Sequence, residues 1–241
     1  MKHALVFGAS GTIGSAVVNR LAYDHNVIAC YREQPEQTLH PFIIADLENL
    51  NEIMQFLCLS STKIDTVVNC AGILLEAPVL ELEEDSWDKT FNVNLKGAFF
   101  LSKFMAEHMI ENKLHGNIIN IGSFAADMPS INGAAYAASK AGLVSITKSL
   151  AAELAQHNIR VNCVSPGVIP SKMTQPAIEA NEHSLLGNIA LNRFGTGTDV
   201  AEAVHYLVNA EYVTGENLKV TGGKFLTQNQ HKINDNLNES L

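Results

Sequence analysis

The chain has 241 residues, 46% of them hydrophobic and 17% charged, and a net charge of −9. That balance supports a full α/β-sized core and excludes extensive disorder, while 16 Lys and Arg scattered singly against 25 Asp and Glu exclude a phosphate-backbone binder. No apolar run approaches 18 residues, and the first one is broken at Gly8, so neither a membrane span nor a signal peptide is expected.

The elements alternate along the chain. HALVFGA (3–9) reads as a strand and runs directly into Gly8-Ala9-Ser10-Gly11-Thr12-Ile13-Gly14, followed by a helix to residue 24. Glycines after a first strand let the backbone turn tightly and approach a pyrophosphate, and the next helix offers its N-terminal N–H groups. The loop therefore points to a nucleotide, with a plain structural turn as the alternative. NVIACY (26–31) is a second strand, ending at Arg32. A dinucleotide site selective for NAD takes a carboxylate there, and an Arg accommodates the 2′-phosphate of NADP. No Asp or Glu occupies 29–32, so Arg32 favours NADP, with NAD possible; the alternative is a solvated strand-end Arg beside Glu33.

FIIAD (42–46) is the third strand, with a helix near 49–59. DTVVNCAG (65–72) is the fourth, and residues 86–113 have helical spacing over much of their length. GNIINIGS (116–123), IRVNCVSPG (159–167) and NLKVTGG (217–223) complete seven strands, with helices over 133–157 and 199–210. Strands apolar almost throughout are those covered on both faces. The pattern predicts a Rossmann-type, doubly wound parallel sheet with helices on both faces, and ligands along the C-terminal strand ends. Residues 1–223 read as one dinucleotide-binding domain. Residues 168–197 read as a long irregular lid with at most short helices, and 224–241 as a polar tail.

Cys30, Cys58, Cys70 and Cys163 form no CxxC pair and read as buried, reduced thiols of a cytoplasmic protein. The nine His show no ligand spacing, so no metal site is expected.

The chemistry concentrates in YAASK (136–140). Tyr136 and Lys140 lie four apart on one helix face. A solvated Lys passing a half-buried Tyr would explain them in isolation. Ser123, at the end of the fifth strand, changes the reading. Reducing a ketone needs a hydride, a proton and a donor to the developing oxyanion. Ser123 supplies the donor and Tyr136 the proton, with the Lys140 ammonium expected to lower the phenol's pKa.

GASGTIG (8–14), Asp46, NCAG (69–72), NVNLKG (92–97), Ser123, YAASK and SPGVIPSKM (165–173), in this order, resemble the short-chain dehydrogenase/reductases in their main single-domain branch. The resemblance implies Asn94 as a fourth catalytic residue beside Ser123, Tyr136 and Lys140, holding a water in a proton relay. It implies cofactor contacts from Gly8, Ser10, Gly11, Thr12, Ile13, Gly14, Arg32, Asp46, Leu47, Asn69, Ala71 and Gly72. Further contacts are implied from Tyr136, Lys140, Pro166, Gly167, Val168 and Ser171. Asp46 would meet the adenine, Gly72 the adenosine ribose, and the backbone around Val168 the nicotinamide amide. Phe7 and Thr12 depart from the branch's usual Thr and middle Gly, giving a G-x-x-G-x-x-G spacing.

The stretch 191–208 and the Ser165–Met173 loop look most like the 3-oxoacyl-carrier-protein reductases of fatty-acid and polyketide assembly. That implies an NADPH-dependent reductase of 3-oxoacyl thioesters, with Lys172 and Arg193 as candidates to meet an acidic carrier protein. The alternatives are an NAD-dependent secondary-alcohol or sugar dehydrogenase and a non-catalytic nucleotide-binding scaffold. No nucleic acid or membrane partner is expected, and the family implies a homotetramer.

Overall fold

The computed structural model describes residues 2–60 and 62–226. Seven strands form one sheet: β1 (Lys2–Phe7), β2 (His25–Tyr31), β3 (Phe42–Ile44), β4 (Thr66–Asn69), β5 (Gly116–Ile121), β6 (Ile159–Pro166) and β7 (Asn217–Val220). All neighbours pair in parallel, in the order β3-β2-β1-β4-β5-β6-β7. The order reverses beside β1, and such a switch point opens a crevice above the strand ends.

Side-chain alternation explains the apolar strands. Leu5, Phe7, Val67, Ile118 and Val161 enter one core, with Leu101 and Met105. Ala4, Val6, Val68, Ile119 and Val164 enter a second core on the opposite face, with Val17 and Val204. Because both faces are covered, no position on a central strand is left for a solvated residue. Each fully buried Leu, Ile or Phe contributes about 1.5–3 kcal/mol.

The helices are α1 (Thr12–Leu21), α2 (Asn51–Leu59), α3 (Glu84–Phe91), α4 (Ala98–Glu111), α5 (Ala134–Leu154), α6 (Gln175–Gly187) and α7 (Gly197–Asn209). Two differ from the sequence expectation. The run 86–113 is interrupted by a π-helical turn over Asn92–Gly97. The 168–197 segment, expected as irregular, contains the 13-residue α6, kinked at Asn181. Only Ile178 of α6 is buried, so no apolar periodicity announces it. A proline in its first turn and the preceding Ser171–Thr174 turn start it instead.

Cys30 and Cys163 are buried, Cys70 is half-buried, and all three are unpaired. Burial pushes the thiols up to about 12 for Cys30 and Cys70 and about 11 for Cys163, which leaves them protonated and inert. Among the described residues no helix is long and apolar enough to cross a membrane. Of the tail, residues 227–241 lie outside the described residues.

Candidate active site

Sites on this fold grow from strand ends. β1 ends in the glycine loop, where Gly8 has φ +72° and a Cβ would meet the Ala71 nitrogen at 2.8 Å. A Cβ on Gly14 would lie 2.1 Å from the Gly8 carbonyl oxygen, so both positions exclude a side chain. The displaced middle glycine is sterically harmless. Ser10, Gly11 and Thr12 are exposed, and a Cβ on Gly11 would make only an ordinary 3.4 Å contact. Gly11 is the N-cap of α1 and supplies no side-chain cap, so the first turn presents its N–H groups, including those of Ile13 and Gly14, to the rim. This cradle fits the pyrophosphate of a dinucleotide.

The loop is tied to its neighbours by backbone. The Ala9 N–H donates to the Cys30 carbonyl at 3.1 Å, and the Cys70 N–H to the Phe7 carbonyl at 3.0 Å. The first bond sets the exposed Arg32 next to the cradle, 3.5 Å from Glu33. Asp46 accepts the Glu48 N–H at 3.0 Å and shapes the turn after β3. Leu47 packs its side chain into the core, which leaves only its main chain for a cofactor. Asn69 is buried and accepts the Ala71 N–H at 3.2 Å, so it holds the NCAG turn.

Ser123 follows β5 and Tyr136 opens α5. Ser123 Oγ accepts the Ala125 N–H at 3.1 Å, and the Ser123 hydroxyl is near enough to the Tyr136 phenol to favour its ionised form. Lys140 is buried one turn further on, with Nζ donating to the Ile121 carbonyl at 2.9 Å. Nζ lies 5.8 Å from the Tyr136 ring centre. Burial holds the lysine down at about 8.

Here the expectation for Tyr136 needs correcting. Burial raises the phenol's pKa and the nearby Ser123 hydroxyl only partly offsets it. The ammonium does not lower it, because Nζ is turned to the Ile121 carbonyl and sits among Cys70 and Cys163. The phenol is therefore protonated at neutral pH, which suits an acid.

Asn94 comes from the π-helical turn, a rare geometry that recurs at functional sites. Its amide is clamped: Oδ1 accepts the Ile73 N–H at 2.8 Å, and Nδ2 donates to the Ile73 carbonyl at 2.9 Å and to Ser139 Oγ at 3.1 Å. Gly72 lies under this group. A Cβ there would sit 3.2 Å from Asn94 Oδ1 and 3.3 Å from Lys140 Nζ, so a side chain at this position would crowd both groups. Gly72, which the resemblance places near the adenosine ribose, thus also lies beside Asn94 and Lys140.

Ser139, not singled out from sequence, joins the two halves of the site. Its hydroxyl donates to the Tyr136 carbonyl at 2.7 Å while accepting from Asn94. Its place three residues after Tyr136 was the available signal.

β6 ends at Pro166. The Gly167 N–H donates to the Val220 carbonyl at 2.8 Å, and the carbonyl of buried Val168 accepts the Gly195 N–H at 3.0 Å. Ser171 bonds Thr174 at 3.1 Å, and Thr174 Oγ1 donates to the Ile169 carbonyl at 2.6 Å. Arg193, exposed at the surface, forks onto Asp199 at 2.8 and 2.9 Å. Lys172 is exposed.

Comparison with known proteins adds to this geometry. A family model described as enoyl-(acyl carrier protein) reductase matches residues 9–224. The 3-oxoacyl-acyl-carrier-protein reductase FabG of Thermotoga maritima is 37% identical over 182 residues, covering 75% of this chain and 74% of that protein. The human (3R)-3-hydroxyacyl-CoA dehydrogenase is 34% identical over 248 residues, covering 92% and 95%. Among solved structures, 4-hydroxyisoleucine dehydrogenase complexed with NADH superposes with a TM-score of 0.86 at 32% identity, covering 95% of this chain and all of that one.

Proposed function

The chain belongs to the short-chain dehydrogenase/reductase family, and from that premise we propose that this NAD(P)-dependent oxidoreductase reduces a ketone to a secondary alcohol, with 3-oxoacyl thioesters as substrates and NADPH as the preferred donor. The observation that carries the reading is Ser123 beside Tyr136, with Lys140 one turn beyond and Asn94 and Lys140 both at Gly72.

The bound nicotinamide supplies the hydride. The residues of the chain do the rest. Ser123 donates to the substrate carbonyl and steadies the developing oxyanion. Tyr136, protonated at neutral pH, delivers the proton to that oxygen. Lys140, one turn beyond Tyr136 with Nζ 5.8 Å from the phenol ring centre, restores the proton, with Asn94 fixing the path by which protons arrive. Burial of Lys140 and Asn94 keeps bulk water from competing for the carbonyl. Gly8, Gly11 and Gly14 seat the pyrophosphate, and Arg32 beside them favours a 2′-phosphate. The thioester reading rests on likeness to FabG and to the human hydroxyacyl-CoA enzyme. The residues 168–197, including α6, serve as the lid over the substrate.

The test is a spectrophotometric screen of NADPH and NADH oxidation with acetoacetyl thioesters and simple ketones, for the enzyme and two variants. Tyr136→Phe abolishes turnover and keeps cofactor binding; full activity in this variant refutes the mechanism. Arg32→Ala weakens NADPH far more than NADH; equal effects refute the NADP preference.

A further inference from the structure

Ser139 stands between Tyr136 and Lys140 on α5, is fully buried, and has no part in the reaction just described. A serine hydroxyl has one hydrogen to give and lone pairs with which to receive. Ser139 gives its hydrogen to the Tyr136 carbonyl at 2.7 Å, a bond one turn back along its own helix. It can then meet a further partner only as an acceptor, and that partner is Nδ2 of Asn94, 45 positions away, at 3.1 Å. The other Nδ2 hydrogen goes to the Ile73 carbonyl at 2.9 Å, so both N–H groups of the amide are used. Ile73 grips the amide along one edge, through its N–H and its carbonyl, and Ser139 holds the remaining corner. Gly142, one turn after Ser139 on the same helix face, brings α5 close to the π-helical turn: a Cβ there would lie 3.0 Å from Leu95 Cδ2.

We infer that Ser139 is a positioning residue: it fixes the Asn94 amide against α5, so that the π-helical turn stays in register with Tyr136 and Lys140. The inference rests on the ketone-reductase reading. A buried serine bonded only to its own helix is a packing detail; the second bond, to another element, gives this one a function. Without the Ser139 oxygen the buried amide has one N–H with no partner, and it pivots about Ile73 to find one. The proton path that Asn94 fixes is then misplaced, and proton delivery slows, while the pyrophosphate cradle between β1 and α1 is untouched.

The experiment measures kcat, ketone KM and NADPH Kd for Ser139→Ala and Ser139→Cys, with the acetoacetyl thioester of N-acetylcysteamine and 4-methyl-2-pentanone as ketones. Alanine keeps the helix and cysteine keeps the volume, but neither offers the amide a good acceptor. Each variant lowers kcat by about tenfold or more and leaves the NADPH Kd nearly unchanged. Each is then combined with Asn94→Ala. Because Ser139 acts through the amide, its replacement lowers kcat no further once that amide is gone. Full kcat in either folded single variant overturns the inference, as does a loss that falls on NADPH binding, or an equal further loss in the Asn94→Ala background. The single variants decide the question by kcat against Kd even where a double variant does not fold. An unaltered enzyme that binds NADPH but reduces neither ketone refutes the reductase reading itself, an outcome distinct from unchanged kcat in the variants.

Discussion

At the scale of single residues, the site depends on what is missing as much as on what is present. Gly72 leaves room for both Asn94 and Lys140, with a Cβ there only 3.2 and 3.3 Å from their polar atoms. Gly72→Ala displaces both by a few tenths of an ångström, and kcat falls about tenfold or more, since such catalysis is sensitive to small misplacements. Steady-state kinetics with cofactor titration shows this as a loss in kcat with cofactor KM nearly unchanged. Lys140 carries the pH dependence. Its folded pKa, about 8, lies below the unfolded value of 10.5. Between those values the unfolded chain binds more protons, so the stability contributed by this side chain rises with pH. Calorimetry of the enzyme against Lys140→Met shows the difference in Tm, enzyme minus variant, increasing from pH 8 to pH 10. A difference that shrinks with pH contradicts the assignment.

At the scale of elements, helix ends explain charges that the composition left ambiguous. α7 begins in a capping box: Thr196 accepts the Asp199 N–H and Asp199 accepts the Thr196 N–H. Arg193 completes it by forking onto the same carboxylate. The guanidinium and these donors hold the Asp199 carboxyl well below the usual carboxylate range. Because the folded pKa is depressed, this contribution is present above the unfolded value of about 3.9 and is lost as pH falls below it. Thr196→Ala removes about 1 kcal/mol. For a domain of this size that is a fall in Tm of about 2–4 °C, measured by calorimetry at neutral pH. Asp199→Asn lowers Tm at pH 7 and narrows its gap to the unaltered enzyme as the solution is acidified. The π-helical turn belongs to this scale too. It interrupts what sequence spacing reads as one helix, and it delivers Asn94 to the Ile73 backbone.

At the scale of the whole molecule, Phe100 and Ile110 of α4 and Trp87 of α3 remain partly exposed, apolar groups suited to a partner subunit. With the family's habit this supports a homotetramer. Light scattering at micromolar concentration then gives about four times the 26.1 kDa chain mass, and a monomer refutes it. Much of the molecule was legible before any coordinates. Doubly apolar strands can only be covered on both faces, which dictates a parallel sheet. Gly8 and Gly14 sit where only glycine fits, and Ser123, Tyr136 and Lys140 follow strand and helix starts that the pattern locates. What the sequence by itself could not determine was direction and distance. The orientation of the Lys140 ammonium, the clamp on Asn94, the engagement of Arg193 and the burial of Lys224 beside Phe124 depend on contacts across 19, 21, 6 and 100 positions. Periodicity records which face of its own element a residue occupies. Only the packed fold decides which distant group waits on that face, and burial by those groups sets the charge each one carries.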